Sequence, residues 1–90
     1  MTEATVKVGN KNGIHMRPAM KISDISNKFR SKITIESEHY KANAKSFVEM
    51  AMLVATHETS LKVTAKGEDE VQAVKEISIL IENDDEETIE

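Results

Sequence analysis

The sequence predicts an α+β domain of order βαββαβα, in which three helices cover one face of a four-stranded sheet. Three observations predict it. Apolar and polar residues alternate, as on half-buried strands, at 5–8, 33–36 and 61–65, and 40–43 is short enough to pair with its predecessor. Between these stretches apolar residues recur at three and four positions, the period of a helix lying on a core. Ninety residues leave room for one layer of helices on one sheet, in a domain that buries only about 60% of its unfolded surface.

The first strand places Val6 and Val8 inward, and Asn10-Lys11-Asn12-Gly13 follows as a loop. A helix over 16–28 puts Pro18, Ile22, Ile25 and Phe29 on one face and Met16 and Met20 on the other. The second strand turns Ile33 and Ile35 inward and returns through Ser37-Glu38-His39, a turn without glycine. Ser46 and Glu49 have the spacing of a capping box, opening a short helix that ends near Ala55. Met50, Leu53 and Val54 share its core face, which leaves Phe47, Val48 and Ala51 with no evident place. Leu61 to Ala65 form the fourth strand, closed by Gly67. Asp69 or Glu68 then caps a third helix carrying Ala73, Val74, Ile77, Leu80 and Ile81, with Asn83 at its end. The domain is expected to span 1–83, and 84–90 to be an acidic, disordered tail.

Composition narrows the function. There is no cysteine, so disulfide frameworks and thiolate metal sites are excluded, and the three histidines, at 15, 39 and 57, have no paired spacing for a metal. The first residues carry neither a basic region nor a signal-length apolar run, and no segment approaches the roughly 20 apolar residues of a membrane span. These features lead us to expect a cytoplasmic protein that needs no cofactor and does not insert into a membrane. Residues 1–50 hold nine Lys or Arg against five Asp or Glu, and residues 51–90 hold three against eleven. The first half is thus net +4 and suits a phosphorylated or acidic partner. Nucleic acid is not expected, since neither a dense basic stripe nor stacking aromatics are present.

The positive half contains Asn12-Gly13-Ile14-His15-Met16-Arg17-Pro18-Ala19-Met20. Gly13 permits a turn with positive φ, and Pro18 is tolerated only in a helix's first turn. His15 therefore falls at or near an N-cap. First-turn amides and the helix dipole favour an anion there, the backbone at Met16 and Arg17 supplies the amides, and the Arg17 guanidinium adds a clamp. A neutral imidazole at such a place has a ring nitrogen free to take up a phosphoryl group. A capping histidine beside a turn glycine and a surface arginine would look the same, and the nonapeptide alone does not separate the two.

The wider pattern resembles HPr, the histidine-containing phosphocarrier family of the bacterial phosphoenolpyruvate-dependent sugar phosphotransferase system. Gly13-Ile14-His15-Met16-Arg17-Pro18-Ala19 resembles its active-site signature, Ala44-Lys45-Ser46 its second signature, and Ala65-Lys66-Gly67-Glu68-Asp69-Glu70 the approach to its last helix. The resemblance implies an open-faced β-sandwich with an antiparallel sheet. It also implies a monomeric carrier, not a turnover enzyme, in which His15 receives a phosphoryl group on Nδ1 from Enzyme I and gives it to enzyme IIA domains while Arg17 steadies it. Partner docking would fall on Met16, Met20, Lys21, Phe47, Val48 and Ala51. Ser46 matches a position phosphorylated by a dedicated kinase/phosphorylase, and a transcriptional regulator is then a further partner. The alternative is a regulatory binding module of the same fold, acting through its first two helices under control at Ser46. Three departures bear on partner choice: Met16 is larger than the family's usual small residue, Glu49 is acidic, and Val54-Ala55-Thr56-His57-Glu58 lacks the usual glycines.

Overall fold

The structure, a computed structural model, describes residues 1–14 and 16–83. The expected order is observed: β1 (Thr2–Lys7), α1 (Met16–Ser26), β2 (Lys32–Glu36), β3 (Lys41–Asn43), α2 (Phe47–Met52), β4 (Ser60–Lys66) and α3 (Glu70–Asn83). The strands pair antiparallel in the order β1-β4-β2-β3. Alternation decides which face is covered. Val6, Ile33, Ile35, Ala42, Leu61, Val63 and Ala65 point to the helices and are buried, while Lys32, Lys41, Lys62 and Lys66 lie exposed in the same strands. Ala19 and Ile22 of α1, Met50 of α2, and Ala73, Val74, Ile77 and Ile81 of α3 close the core from above. Each large apolar side chain buried there contributes roughly 1.5–3 kcal/mol.

Several boundaries and contacts differ from the sequence expectation, each for a local reason. α1 stops at Ser26 instead of 28, because Lys28 and Phe29 donate to Ile25 and Ser26 carbonyls three residues back and tighten the last turn. Pro18 and Ile22 are buried on its core face, Ile25 and Phe29 only partly. β1 begins earlier than expected, and its pairing continues beyond Lys7 through Val8, which exchanges backbone bonds with Thr59 and Glu58. The glycine-free β2–β3 turn is held by Ser37, whose Oγ accepts the Tyr40 N–H at 3.1 Å. α2 ends at Met52, three residues short of expectation. Met50 and Leu53 are buried as expected, but Val54 swings out to 72% exposure as its backbone turns to φ 49. Phe47 and Ala51, which helical projection had left without a place, pack against the core edge, and Val48 alone of the three is exposed.

Neither Glu68 nor Asp69 caps α3 with its side chain. The Gly67 carbonyl accepts the Glu70 N–H, and the Glu70 carboxylate reaches back to the Gly67 N–H at 3.0 Å. At the far end of α3, Gly9 donates to the Ile81 carbonyl, and a Cβ on Gly9 would lie 1.7 Å from the Glu82 carbonyl oxygen. Only glycine permits that approach, which fixes the last turn of α3 beside the loop leading to α1. The expected tail, 84–90, lies outside the described residues.

Candidate functional site

The loop before α1 is built from its backbone upward. Asn10 is buried, and its side-chain oxygen accepts the Asn12 N–H at 2.8 Å while its carbonyl accepts the Gly13 N–H at 2.9 Å. Gly13 stands at φ +76, as the sequence had required. A Cβ there would meet the Ala55 carbonyl oxygen at 2.3 Å, so glycine is needed for space as well as for conformation. The same Ala55 carbonyl accepts the Ile14 N–H at 2.7 Å. The segment after α2 thus clasps the peptide that leads into His15, and Ile14 itself is buried. Beneath the loop, Val8, Asn10, Gly13, Ile14, Pro18, Ile22, Leu80 and Ile81 leave a cavity of only about 10 Å³. That is about one water's worth of space, so this cavity has no room for a substrate.

His15 lies outside the described residues. Its covalent neighbours do not. Met16 opens α1, and Arg17 and Pro18 complete the start of the first turn. Helix geometry leaves the Met16 and Arg17 amides without intrahelical acceptors, and Pro18 has no N–H to satisfy. No acidic residue sits in this turn and the Arg17 side chain is exposed, so the end of α1 offers an anion two amides, a dipole and a guanidinium.

The residues expected to dock a partner fall into two groups. Met16, Met20 and Val48 are exposed at 64%, 52% and 63%, whereas Lys21, Phe47 and Ala51 are half-buried. Met52 and Val54, at the end of α2, are exposed too, at 58% and 72%. For Val54 the missed signal is the absent glycine: a helix end that needs a left-handed residue, with none supplied, forces the valine out of the helical projection. α1 and α2 are tied together at Lys45, whose carbonyl accepts Ser23 Oγ and Asn27 Nδ2 and whose ammonium donates to the Phe29 carbonyl at 2.7 Å.

Ser46 adopts the N-cap conformation of α2, and its Oγ accepts the Glu49 N–H at 3.2 Å. The reciprocal arm of the expected capping box is redirected. Ser46 N–H already donates to the Asn43 carbonyl, so the Glu49 carboxylate takes the Asn43 N–H at 2.8 Å instead. Among the described residues no group of three His, Cys, Asp or Glu is placed to hold a metal, and no helix is long and apolar enough to cross a membrane.

Comparison with known proteins gives a concordant result. The family model described as "PTS HPr component phosphorylation site" matches residues 2–83. The phosphocarrier protein HPr of Xylella fastidiosa is 36% identical over 83 residues, covering 92% of this chain and 93% of that one. The HPr of Haemophilus influenzae is 38% identical over 81 residues, with 90% and 95% covered. Among solved structures, the crystal structure of HPr-C-His from Thermoanaerobacter tengcongensis superposes with a TM-score of 0.85 at 38% identity, covering 91% and 92% of the two chains. With a family model matched over residues 2–83 and relatives covered along nearly their whole length, the chain belongs to the HPr family of phosphocarrier proteins of the phosphotransferase system.

Proposed function

We propose that His15 is the phosphoryl acceptor, that Enzyme I is its donor and that enzyme IIA domains are its acceptors. One observation carries the reading: the residue after a Gly13–Ile14 turn pinned by Ala55 is followed at once by two first-turn amides and an exposed Arg17, with no carboxylate in the turn. Such an end holds the charge that spreads over the peripheral oxygens of a transferring phosphoryl group. Nδ1 of His15 attacks phosphorus as the donor's P–N bond breaks. One imidazole replaces another, so the group stays reactive enough to pass on. The covalent adduct forms on the carrier itself, which works as a monomer in the cytoplasm and turns over nothing alone. Met16, Met20, Lys21, Phe47, Val48 and Ala51 face the partners, and Ser46 is a regulatory phosphorylation site read by a kinase/phosphorylase and a transcriptional regulator.

The test is incubation with phosphoenolpyruvate and Enzyme I, followed by intact mass and acid treatment. One acid-labile phosphate, absent from a folded His15→Ala variant, is expected. An alanine variant that takes up phosphate as well as the parent would overturn the assignment. No uptake by the parent, with an Enzyme I active on another carrier, would move the assignment to a binding module of the same fold.

A further inference from the structure

The helices cover one face of the sheet, and the other is open. The side chains that alternation turns toward the open face include Lys7 of β1, Lys32 of β2, Lys41 of β3, and Lys62 and Lys66 of β4, all exposed. The acidic residues on the same face are Glu3 and Glu36, although the whole chain carries 16 acidic side chains against 12 basic ones. Solubility would be served by either sign, so it does not account for this bias. Glu36 stands opposite both Lys41 and Lys62, which offsets their charge in part. Lys32 stands opposite Lys66, next to a pair formed by Thr34 and Thr64. Like charges directly across two strands destabilise a sheet. None of the five ammonium groups has an ion pair or hydrogen bond among the described residues. The fold leaves the Lys32–Lys66 pair unexplained.

We infer that the open face of the sheet is a docking surface for an anionic lipid bilayer. Three strand spacings and the six residues from Ser60 to Lys66 give the lysines an area about 14 Å across and about 20 Å long. Lys32, Lys41, Lys62 and Lys66 ring a shallow concavity of about 400 Å³ whose floor includes Thr34 and Thr64. A protein partner needs an apolar centre in its interface, and apart from Met1 at the rim this face has no large apolar side chain. A nucleic acid is served by arginine or aromatic groups within a stripe of charge, and both arginines lie elsewhere, Arg17 in α1 and Arg30 before β2. A bilayer requires only cations spread over an open surface, each of which adds to the attraction near the lipid phosphates. The acidic groups on the outer sides of α2 and α3 are separated from this face by helices about 10 Å across. That exceeds the screening length of roughly 8 Å at physiological salt, so a net charge of −4 does not prevent adsorption. Seated this way, the domain turns α1 and α2 away from the lipid and leaves them free for other partners.

Sedimentation with vesicles tests this, using phosphatidylcholine alone and phosphatidylcholine with about 30% phosphatidylserine at low salt. The protein should bind the anionic vesicles only, and be released as salt is raised. Lys32→Thr with Lys66→Thr should bind roughly tenfold more weakly, with Tm unchanged or raised because the like-charge pair is gone. Lys28→Thr with Lys75→Thr makes the same change in net charge on exposed residues of the helical side and should bind within about twofold of the parent. A parent that does not sediment, equal binding to neutral vesicles, or equal losses in the two double variants overturns the inference. So does sodium phosphate that releases the protein better than sodium chloride at matched ionic strength, which would assign the face to a free anion. A short DNA duplex that displaces the vesicles at equal phosphate concentration would assign it to nucleic acid, with the same consequence. Vesicle binding is read without phosphoryl uptake, so its failure leaves the proposed function standing.

Discussion

Ser31 Oγ donates to Asp69 Oδ1 at 2.5 Å, joining the start of β2 to the approach to α3, 38 residues further on. The same oxygen accepts the Ser31 N–H at 2.9 Å, and Oδ2 accepts the Arg30 N–H at 2.9 Å. Ser31 is wholly buried, so its hydroxyl has no water to turn to. A carboxylate that looks from the sequence like a helix cap is spent instead on closing the α1–β2 turn. Beside it, Arg30 and Glu68 add an exposed ion pair that contributes little.

The acid limb of stability follows from this arrangement. The Ser31 hydroxyl first, then the Arg30 N–H, lower the Asp69 carboxyl from 3.8 to about 2. Glu70 falls from 4.5 to about 2, held by the Thr2 hydroxyl, then the Gly67 N–H and the N-terminal ammonium. Both carboxyls are depressed on folding, so their stabilisation is fully present above the unfolded values and is lost as pH falls through the folded ones. Thermal melts of the parent should therefore drop steeply between about pH 4.5 and pH 2. A double variant, Asp69→Asn with Glu70→Gln, should start lower at neutral pH and fall less over that window. Equal slopes in the two proteins would assign the acid limb to other groups.

What the sequence reveals of this molecule depends on how local the cause is. Val6, Ile33, Ile35, Leu61 and Val63 are legible because strand period alone sorts them, and Gly13 because only a turn needs positive φ beside a proline-marked helix start. The Ser46 cap is legible for the same reason, being settled within four residues. Asp69 is not, since its partners lie 38 residues away and nothing in its own neighbourhood names them. Val54 misleads outright: hydrophobicity and spacing place it in the core, whereas the missing glycine after α2 turns it outward. Of the candidate site, the start of α1 is readable in the nonapeptide. The clasp of Ala55 on Ile14 is not, because it joins two loops 41 residues apart.

The cap at Ser46 offers a second test. Loss of its Oγ acceptor in Ser46→Ala leaves the Glu49 N–H to water and should cost about 1 kcal/mol in chemical denaturation. Ser46→Asp keeps an acceptor and suits the helix dipole, so it should unfold within about 0.5 kcal/mol of the parent. It nevertheless sets a charge beside Glu49, which already holds the Asn43 N–H. Phosphoryl uptake by the aspartate variant should be slower through a raised KM for Enzyme I. A variant as fast as the parent would argue that charge at this cap does not reach the partner.

Gly13→Ala should damage fold and site together. Alanine at φ +76 is strained by about 1–3 kcal/mol, and its Cβ would stand 2.3 Å from the Ala55 carbonyl oxygen. The loop must give way, and the Ile14 N–H is then the first bond lost. Hydrogen exchange at Ile14 should accelerate well beyond the change in global stability, while Val63 and Ile35 in the sheet follow the global value. Uniform acceleration at all three amides would show that the loop and the core open together.

Arg17 separates charge from geometry at the end of α1. Its side chain is exposed, so neither Arg17→Lys nor Arg17→Ala should shift stability by more than about 0.5 kcal/mol. Uptake is different, because a guanidinium engages two phosphoryl oxygens at once and does so most strongly when charge is spread over them. The alanine variant should lose roughly tenfold to a hundredfold in kcat with a smaller change in KM. Lysine supplies the charge as a point without the planar fork and should recover only part of that loss. Full recovery by lysine would mean that the site needs a field and not a clamp, leaving orientation of the phosphoryl group to the Met16 and Arg17 amides.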